Sequence, residues 1–272
     1  MSCSELSQAA GEGLAGTATA ARRWLLVEVR GAWGRDAVAD TDLPREVRAR
    51  LEAFDGRALR IRRPGRRDRI TVVRAEATEP GGTATRFELD SLDELADIDV
   101  APGSPVAGPL VLVCAHGRRD PCCARLGVPL HDALAAHLPA GALWQASHLG
   151  GHRFAPNLLA LPFGVQLGRI PVEDAQAAAA ALTAGRVPLA YYRGRTVYPA
   201  PVQAAEVAVR RHLGLDGVGD LVLRSHDGDV VRFGAAGRIV TVRVEEEEGP
   251  TVPASCGAEP EPTSAWRARL ES

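Results

Sequence analysis

Two cysteines and two histidines have the types and spacing to do chemistry. Cys114 and Cys123 are separated by eight residues, and His148 and His152 by three. Each pair falls on a loop just after an expected buried strand, Pro109–Val113 before the cysteines and Ala142–Ser147 before the histidines. If those strands are neighbours, both loops leave the same sheet edge and the four side chains can converge. Two thiolates and two imidazoles suit a borderline-soft metal: zinc, or the irons of a cluster. Between the histidines, Leu149-Gly150-Gly151 allows the backbone a positive φ, so that both rings can face one site.

Spacing alone leaves zinc and a [2Fe–2S] cluster open. Zinc fingers separate their two cysteines by about two to four residues, and a wider loop better surrounds a two-metal unit. Charge adds to this. A diferric cluster on four thiolates carries two net negative charges, and exchanging two thiolates for neutral imidazoles brings it to zero. Reduction then meets less repulsion, as in Rieske centres at roughly −150 to +300 mV against about −400 mV for plant-type ferredoxins. Imidazoles also exchange protons near neutrality, which would couple electron transfer to pH.

The elements that must position these residues follow from periodicity and turn signals. Pro109–Val113 is a continuous apolar run, and Val128–Leu138 has helical apolar spacing. Leu158–Leu161 and Val165–Ile170 flank Pro162-Phe163-Gly164 as a hairpin, and Pro171–Ala184 is an alanine-rich helix stopped by Gly185. Upstream, Arg23–Arg30 reads as a buried strand and Pro44–Phe54 as a short helix capped by Asp42. Strands follow at Ala58–Arg63, Arg69–Ala75 and Thr85–Leu89. Downstream, a helix at Pro201–His212 precedes short strands at Asp220–Arg224, Asp229–Phe233 and Arg238–Val244, with Asp227-Gly228 as a hairpin turn. The fold class is α/β: a mixed sheet with helices on its faces, a β-rich N-terminal segment and an α+β C-terminal segment. The expected organisation is a flexible N-terminus over 1–20, an α+β segment over 21–100, the central domain over 109–186, an α+β segment over 187–250, and a tail over 251–272. Glu245–Glu248 reads as a solvated acidic run.

Composition narrows the classes. With 272 residues the chain can bury a sizeable core, and 32 Lys+Arg against 34 Asp+Glu give a net charge of −2. That balance argues against a nucleic-acid or membrane-surface protein. No apolar run approaches the roughly 20 residues of a bilayer span, and no signal peptide is expected. Lysine is absent, so every basic side chain other than histidine is arginine, which fits a coding bias. Five cysteines are odd in number and too few for a disulfide scaffold; three of them, Cys114, Cys122 and Cys123, lie within ten residues. A reducing, cytoplasmic compartment is expected.

The stretches CAHGRRDPCCA (Cys114–Ala124) and SHLGGHRFAPN (Ser147–Asn157) resemble the sucrase/ferredoxin-like family, whose patterns look like C-x-H-x-[KR]-R-D-x-x-C and H-x-G-G-H-[KR]-[FY]-A-x-N. GTATAARRWLLVEVRGAWGRD near the start and Ser255-Cys256-Gly257 add to the match, which runs over most of the chain. The resemblance implies a thioredoxin-like ferredoxin domain and a [2Fe–2S] cluster on Cys114, Cys123, His148 and His152. With the spacing it points to an electron carrier working with a redox partner protein, and the charge balance leaves neither nucleic acid nor membrane as an expected partner. Cys122 falls where the pattern is open and is not expected to be a ligand. No carboxylate pair of glycosidase type supports the "sucrase" part of the family name. Two other readings stand beside the carrier: a thiol-disulfide oxidoreductase, disfavoured because no C-x-x-C occurs, and a structural zinc module.

Other residues have two readings each. His116 either donates a hydrogen bond to a cluster sulfur or is a solvated loop residue. Arg118 and Arg119 either shape the loop through an ion pair with Asp120, itself read as structural, or form a docking face for an acidic partner. Arg153 and Asn157 are expected to hold the second loop. The run Arg57, Arg60, Arg62, Arg63, Arg66, Arg67 and Arg69 reads as a solvated or partner-docking face. His131, His137, His212 and His226 read as surface residues, and Cys3 and Cys256 as spare thiols.

Overall fold

A computed structural model describes residues 1–40, 43–65 and 68–271. Asp42, the expected helix cap, and Arg66 and Arg67 of the arginine run lie outside the described residues. The elements in chain order are α1 (Cys3–Ala9), β1 (Arg23–Glu28), α2 (Arg45–Glu52), β2 (Arg57–Arg62), β3 (Ile70–Ala77), β4 (Gly82–Leu89), β5 (Ser104–Pro105) and β6 (Leu110–Cys114). Then come α3 (Pro121–Leu134), β7 (Leu143–Ala146), β8 (Asn157–Leu161), β9 (Val165–Gly168), α4 (Ala175–Thr183), β10 (Tyr192–Arg195) and α5 (Ala200–Leu213). Strands β11 (Leu221–Asp227), β12 (Val230–Ala235), β13 (Arg238–Pro253) and β14 (Pro260–Leu270) complete the chain.

The fold is mixed α/β. One ten-stranded sheet has the order β10-β9-β8-β6-β7-β2-β1-β3-β4-β5, and an antiparallel sheet runs β11-β12-β13-β14. At the centre β6 and β7 are parallel, with Cys114 opposite Ala146, because α3 provides the crossover that a parallel pair needs. Strand β8 lies antiparallel to β6, and β9 antiparallel to β8. The β6-α3-β7-β8-β9-α4 succession fits the thioredoxin-like sheet that the resemblance implied. Alternation along β6 divides its side chains between two cores. Val111 and Val113 pack with Leu130, Leu134, Ala178 and Leu182 of α3 and α4, while Leu110, Leu112 and Cys114 pack with Trp24, Leu59 and Trp144. Helix α5 packs on the second sheet through Val202, Ala205 and Val209 against Val231, Phe233 and Val242.

Several expectations are corrected. Residues 1–20 are an ordered arm, not a loose tail. Helix α1 opens with a capping box between Ser2 and Glu5, and Cys3, Ser4 and Ser7 are buried. The segments expected over 21–100 and 109–186 share one sheet through the β2–β7 pairing, and β10 extends that sheet past residue 186. The expected tail over 251–272 contains β14, which pairs with β13 from Val242↔Leu270 to Pro253↔Pro260. The acidic run Glu245–Glu248 is solvated as expected, with Glu245, Glu246 and Glu248 exposed, but it lies inside a strand, where Glu247 accepts a hydrogen bond from Arg267 on β14.

Among its described residues, the arginine run is only partly a solvated face. Arg60 is buried, and Arg62 and Arg63 lie over the rings of Trp33 and Trp144 at 4.3 Å each. Guanidinium planes stack on indoles, so these side chains cover aromatic surface instead of extending into water. Arg69 is exposed and pairs with Asp90. His131 is buried, with Nδ1 at 3.0 Å from Asp132, whereas His137, His212 and His226 are exposed as expected.

Candidate metal centre

Cys114 ends β6, and His148 follows two residues after the end of β7. Since these strands are parallel neighbours, both leave their carboxyl ends on the same side of the sheet, where ligands of α/β sheets gather. Helix α3 begins at Pro121, earlier than its apolar periodicity indicates. Asp120 is its N-cap, accepting from the Cys122 backbone N–H at 3.1 Å, and Pro121 fits the first turn. Cys122 and Cys123 are thus on a helix and not in a loop. The helix can press close because residue 127 is glycine: a Cβ there would stand 2.0 Å from the Cys114 carbonyl oxygen.

The four residues singled out by spacing come together. The donor atoms of Cys114, Cys123 and His148 all lie within 4.8 Å of one another. His152 Nδ1 lies 4.0 Å from the Cys123 sulfur, and the two imidazoles stack with centroids 4.1 Å apart at 23°. Both cysteines are 1% exposed, while the two histidines are half-buried at the outer side.

The electrostatics prepare one thiolate. A hydrogen bond from the Cys123 thiol outweighs burial and holds Cys114 well below the usual thiol range, aided by the His148 ring and the backbone N–H groups of His116 and Leu149. Cys123 moves the opposite way, because the neighbouring Cys114 sulfur keeps its proton on. Burial lowers His152 to about 4, with the His148 ring adding to the effect, so this ring is neutral at pH 7 and free to donate a lone pair. The His148 Nδ1 atom is buried and lacks a hydrogen-bond partner. An orphaned imidazole nitrogen, a favoured thiolate, a second thiol and a neutral ring form a donor set that fits a zinc ion or an iron–sulfur cluster.

The histidine loop is clamped from several directions. Gly150 and Gly151 have φ of 95° and 69°, as the sequence led one to expect. A Cβ on Gly150 would stand 2.2 Å from Thr19 Oγ1, and one on Gly151 would stand 2.5 Å from Arg193 Nη2. Arg57 donates to the His148 carbonyl at 3.1 Å, Thr19 Oγ1 to the Leu149 carbonyl at 2.9 Å, and Gln166 to the same oxygen at 3.3 Å. Arg193 is fully buried and donates to the Gly150 carbonyl at 3.1 Å, to Asn157 Oδ1 at 2.7 Å and to Thr17 Oγ1 at 3.0 Å. Asn157 donates to the Gly151 carbonyl at 2.8 Å, and Arg153 pairs with buried Glu12 at 2.7 Å, so both support this loop as expected. Sequence reasoning missed Arg57 as a loop clamp, and also Thr19, Gln166 and Arg193. Thr19 lies within the GTATAARRW match, and that was the one signal pointing to it.

Two expectations about the first loop are corrected. His116 is not solvated: it is 2% exposed, edge-on to Trp33, and bonded through Nε2 to the Gly34 carbonyl at 2.7 Å. A carbonyl only accepts, so Nε2 carries the proton. Burial lowers the pKa of the ring, and neutral Nδ1 has no proton to give a cluster sulfur. It is the backbone N–H of His116 that reaches Cys114. Among the described residues, Asp120 makes no ion pair with Arg118 or Arg119, which are exposed; Asp120 is buried and holds the helix.

The fold and site define an α/β protein whose mixed central sheet gathers a Cys/His donor cluster at the carboxyl ends of two parallel strands. Residues 14–194, well over half of the chain, match the sucrase/ferredoxin-like family, and the chain belongs to that family. It is also similar to a protein of Meyerozyma guilliermondii named altered inheritance of mitochondria protein 32, with 34% identity over 79 residues. That match covers 25% of this chain and 27% of the relative, so the chain aligns with little more than a quarter of that protein. No solved structure matches the chain.

Proposed function

We propose that the chain is an electron carrier holding a [2Fe–2S] cluster on Cys114, Cys123, His148 and His152. The observation that supports this most directly is the meeting of two thiols and two stacked imidazoles at one edge of the central sheet. Such a cluster, when bound, supplies one-electron oxidation and reduction. The chain's own residues supply the rest. Backbone N–H groups of His116 and Leu149 stabilise negative charge on the Cys114 sulfur, and Arg57, Thr19, Gln166 and Arg193 fix the loop that carries the imidazoles. Neutral rings in place of two thiolates make added negative charge easier to accept, which raises the potential toward the roughly −150 to +300 mV range of His-ligated centres.

The sulfurs are deep and the histidines face outward, so the imidazole side is the natural exit for an electron. Exposed Arg118 and Arg119 lie on the loop between Cys114 and α3. They suit a redox partner with an acidic docking face. No described helix is long and apolar enough to cross a membrane. Five unpaired cysteines suit a reducing compartment, and the proposal places the carrier in the cytoplasm.

A second reading is one zinc ion on Cys114, Cys123 and His148, favoured by three donor atoms that all lie within 4.8 Å of one another. Anaerobic purification followed by absorption and electron paramagnetic resonance spectra decides between them. The carrier reading expects a coloured protein with two irons per chain and a paramagnetic signal on one-electron reduction. A colourless protein with stoichiometric zinc at this site, which iron and sulfide fail to reconstitute, overturns it.

A further inference from the structure

A second cluster of donors lies beside the first and shares none of its residues. Cys3 at the start of α1, Cys122 on the first turn of α3, Cys256 between β13 and β14, and the N-cap Asp120 place one donor atom each within 4.8 Å of the others. The Cys3 sulfur lies 3.4 Å from that of Cys122, 3.6 Å from that of Cys256 and 3.7 Å from Asp120 Oδ2. A tetrahedral zinc with Zn–S bonds of about 2.3 Å separates its sulfur ligands by about 3.8 Å, so these spacings are within a few tenths of an ångström of a closed site. None of the three thiols is in a disulfide.

Two further observations point to a cation. Asp120 is 1% exposed, and among the described residues it forms no ion pair. Its oxygens accept from the backbone N–H groups of Cys122 at 3.1 Å and Cys256 at 2.8 Å, which orients the carboxylate without neutralising it. Backbone N–H groups hold this buried carboxylate in its charged form, and a cation among the three facing sulfurs would balance that charge. The helix geometry then explains the vicinal pair. Consecutive helical residues project about 100° apart, so the first turn of α3 sends the Cys123 sulfur to the histidines and the Cys122 sulfur to the other cluster.

We propose that Cys3, Cys122, Cys256 and Asp120 form a structural metal site that takes one Zn²⁺, independent of whichever metal the Cys/His residues hold. Three thiolates and a carboxylate suit zinc, and binding releases the thiol protons to solvent. The site joins positions 253 residues apart, Cys3 and Cys256, to the helix that carries Cys123. It also secures α1 against the histidine loop, where Ser4 Oγ donates to the Ala155 carbonyl at 2.6 Å and the Cys122 thiol lies 3.4 Å from the His152 carbonyl.

Metal analysis of the full chain purified anaerobically with a reductant, alongside a Cys3→Ser/Cys256→Ser variant, tests the proposal. The variant should carry one zinc fewer per chain than the wild type while keeping the iron content and visible spectrum of the Cys/His site. Conversely, a Cys114→Ser/His148→Ala variant should lose the metal of the Cys/His site and retain one zinc. Cobalt(II) added to the stripped chain should give the intense visible bands of tetrahedral thiolate coordination, weakened by Cys3→Ser alone. Equal zinc in the wild type and the Cys3/Cys256 variant overturns the proposal. So does a stripped wild type that takes up neither zinc nor cobalt at this cluster, or a Cys3–Cys256 disulfide in the purified chain. Failure of the electron-carrier reading leaves this result intact, because the difference in zinc is read at residues outside the Cys/His set.

Discussion

Gly151→Ala should unseat the histidine loop, and its cost can be worked from the geometry. Gly151 sits at φ 69°, in the left-handed region, where a Cβ costs about 1–2 kcal/mol. The new methyl would stand 2.5 Å from Arg193 Nη2 and 2.8 Å from the Phe154 ring. The far end of an exposed arginine would swing aside cheaply, but Arg193 is fully buried and its guanidinium donates to Thr17, Gly150 and Asn157. Moving it breaks at least one charge-assisted hydrogen bond, at about 1.5–3 kcal/mol. The sum is about 2.5–5 kcal/mol. With a urea m-value of about 3 kcal/mol/M, a loss of about 4 kcal/mol lowers the midpoint by about 1.3 M. Urea unfolding of the metal-free chain followed by tryptophan fluorescence measures this, with Gly13→Ala as control. Gly13 has open space within 4 Å of its Cβ position, and its substitution should stay within about 0.5 kcal/mol of the wild type. An equally silent Gly151→Ala would refute the argument that Arg193 clamps this loop.

Four further outcomes follow from the same geometry. Gly127→Ala places a Cβ 2.0 Å from the backbone oxygen of Cys114, which cannot yield, so α3 must move off β6; iron content after reconstitution should collapse more than for Gly151→Ala. His148→Cys and His152→Cys should each keep a cluster but lower its potential in film voltammetry, since a thiolate adds negative charge, and an unchanged potential means that the ring is not a ligand. Arg210→Met strands the buried carboxylate of Glu206, now paired at 3.0 Å, and should cost about 3–5 kcal/mol in denaturant unfolding with no effect on the visible spectrum. Asp36 accepts from the backbone N–H groups of Ala39 and Val38, which hold its carboxyl below the usual 3.8. Its folded pKa is thus below the unfolded one, so the stabilisation is present above pH 3.8 and lost as pH falls through the lowered value; carboxyl NMR titration should show a midpoint below 3.8.

The central sheet was legible because its strands are continuous apolar runs punctuated by turns. Leu110–Cys114, the Asn157–Gly168 hairpin and the glycine pair of the histidine loop came directly from that pattern. Adjacency of β6 and β7 follows from the crossover, which is why the four donor residues could be expected at one edge. Other features depend on long-range contacts that local pattern does not encode. Helix α1 buries Cys3, Ser4 and Ser7 in place of large apolar side chains, so residues 1–20 read as loose. Arg62 and Arg63, at the end of β2 and just past it, lie over Trp33 and Trp144, which are distant in sequence and offer aromatic faces. The early start of α3 had its signal in Asp120-Pro121, obscured by Gly127 and Pro129 inside the helix. Cys3 and Cys256 read as spare because nothing local brings together the two ends of the chain.

The position of β6 and β7, fourth and fifth in a row of ten strands, has a consequence for how long a bound cofactor would stay. Sheets fray from their margins, and amides in the middle exchange with solvent only when the whole body opens. The backbone beneath Cys114 and Ala146 therefore belongs to the slowest-exchanging part of the molecule. A group seated there would outlast many breathing motions of the rim.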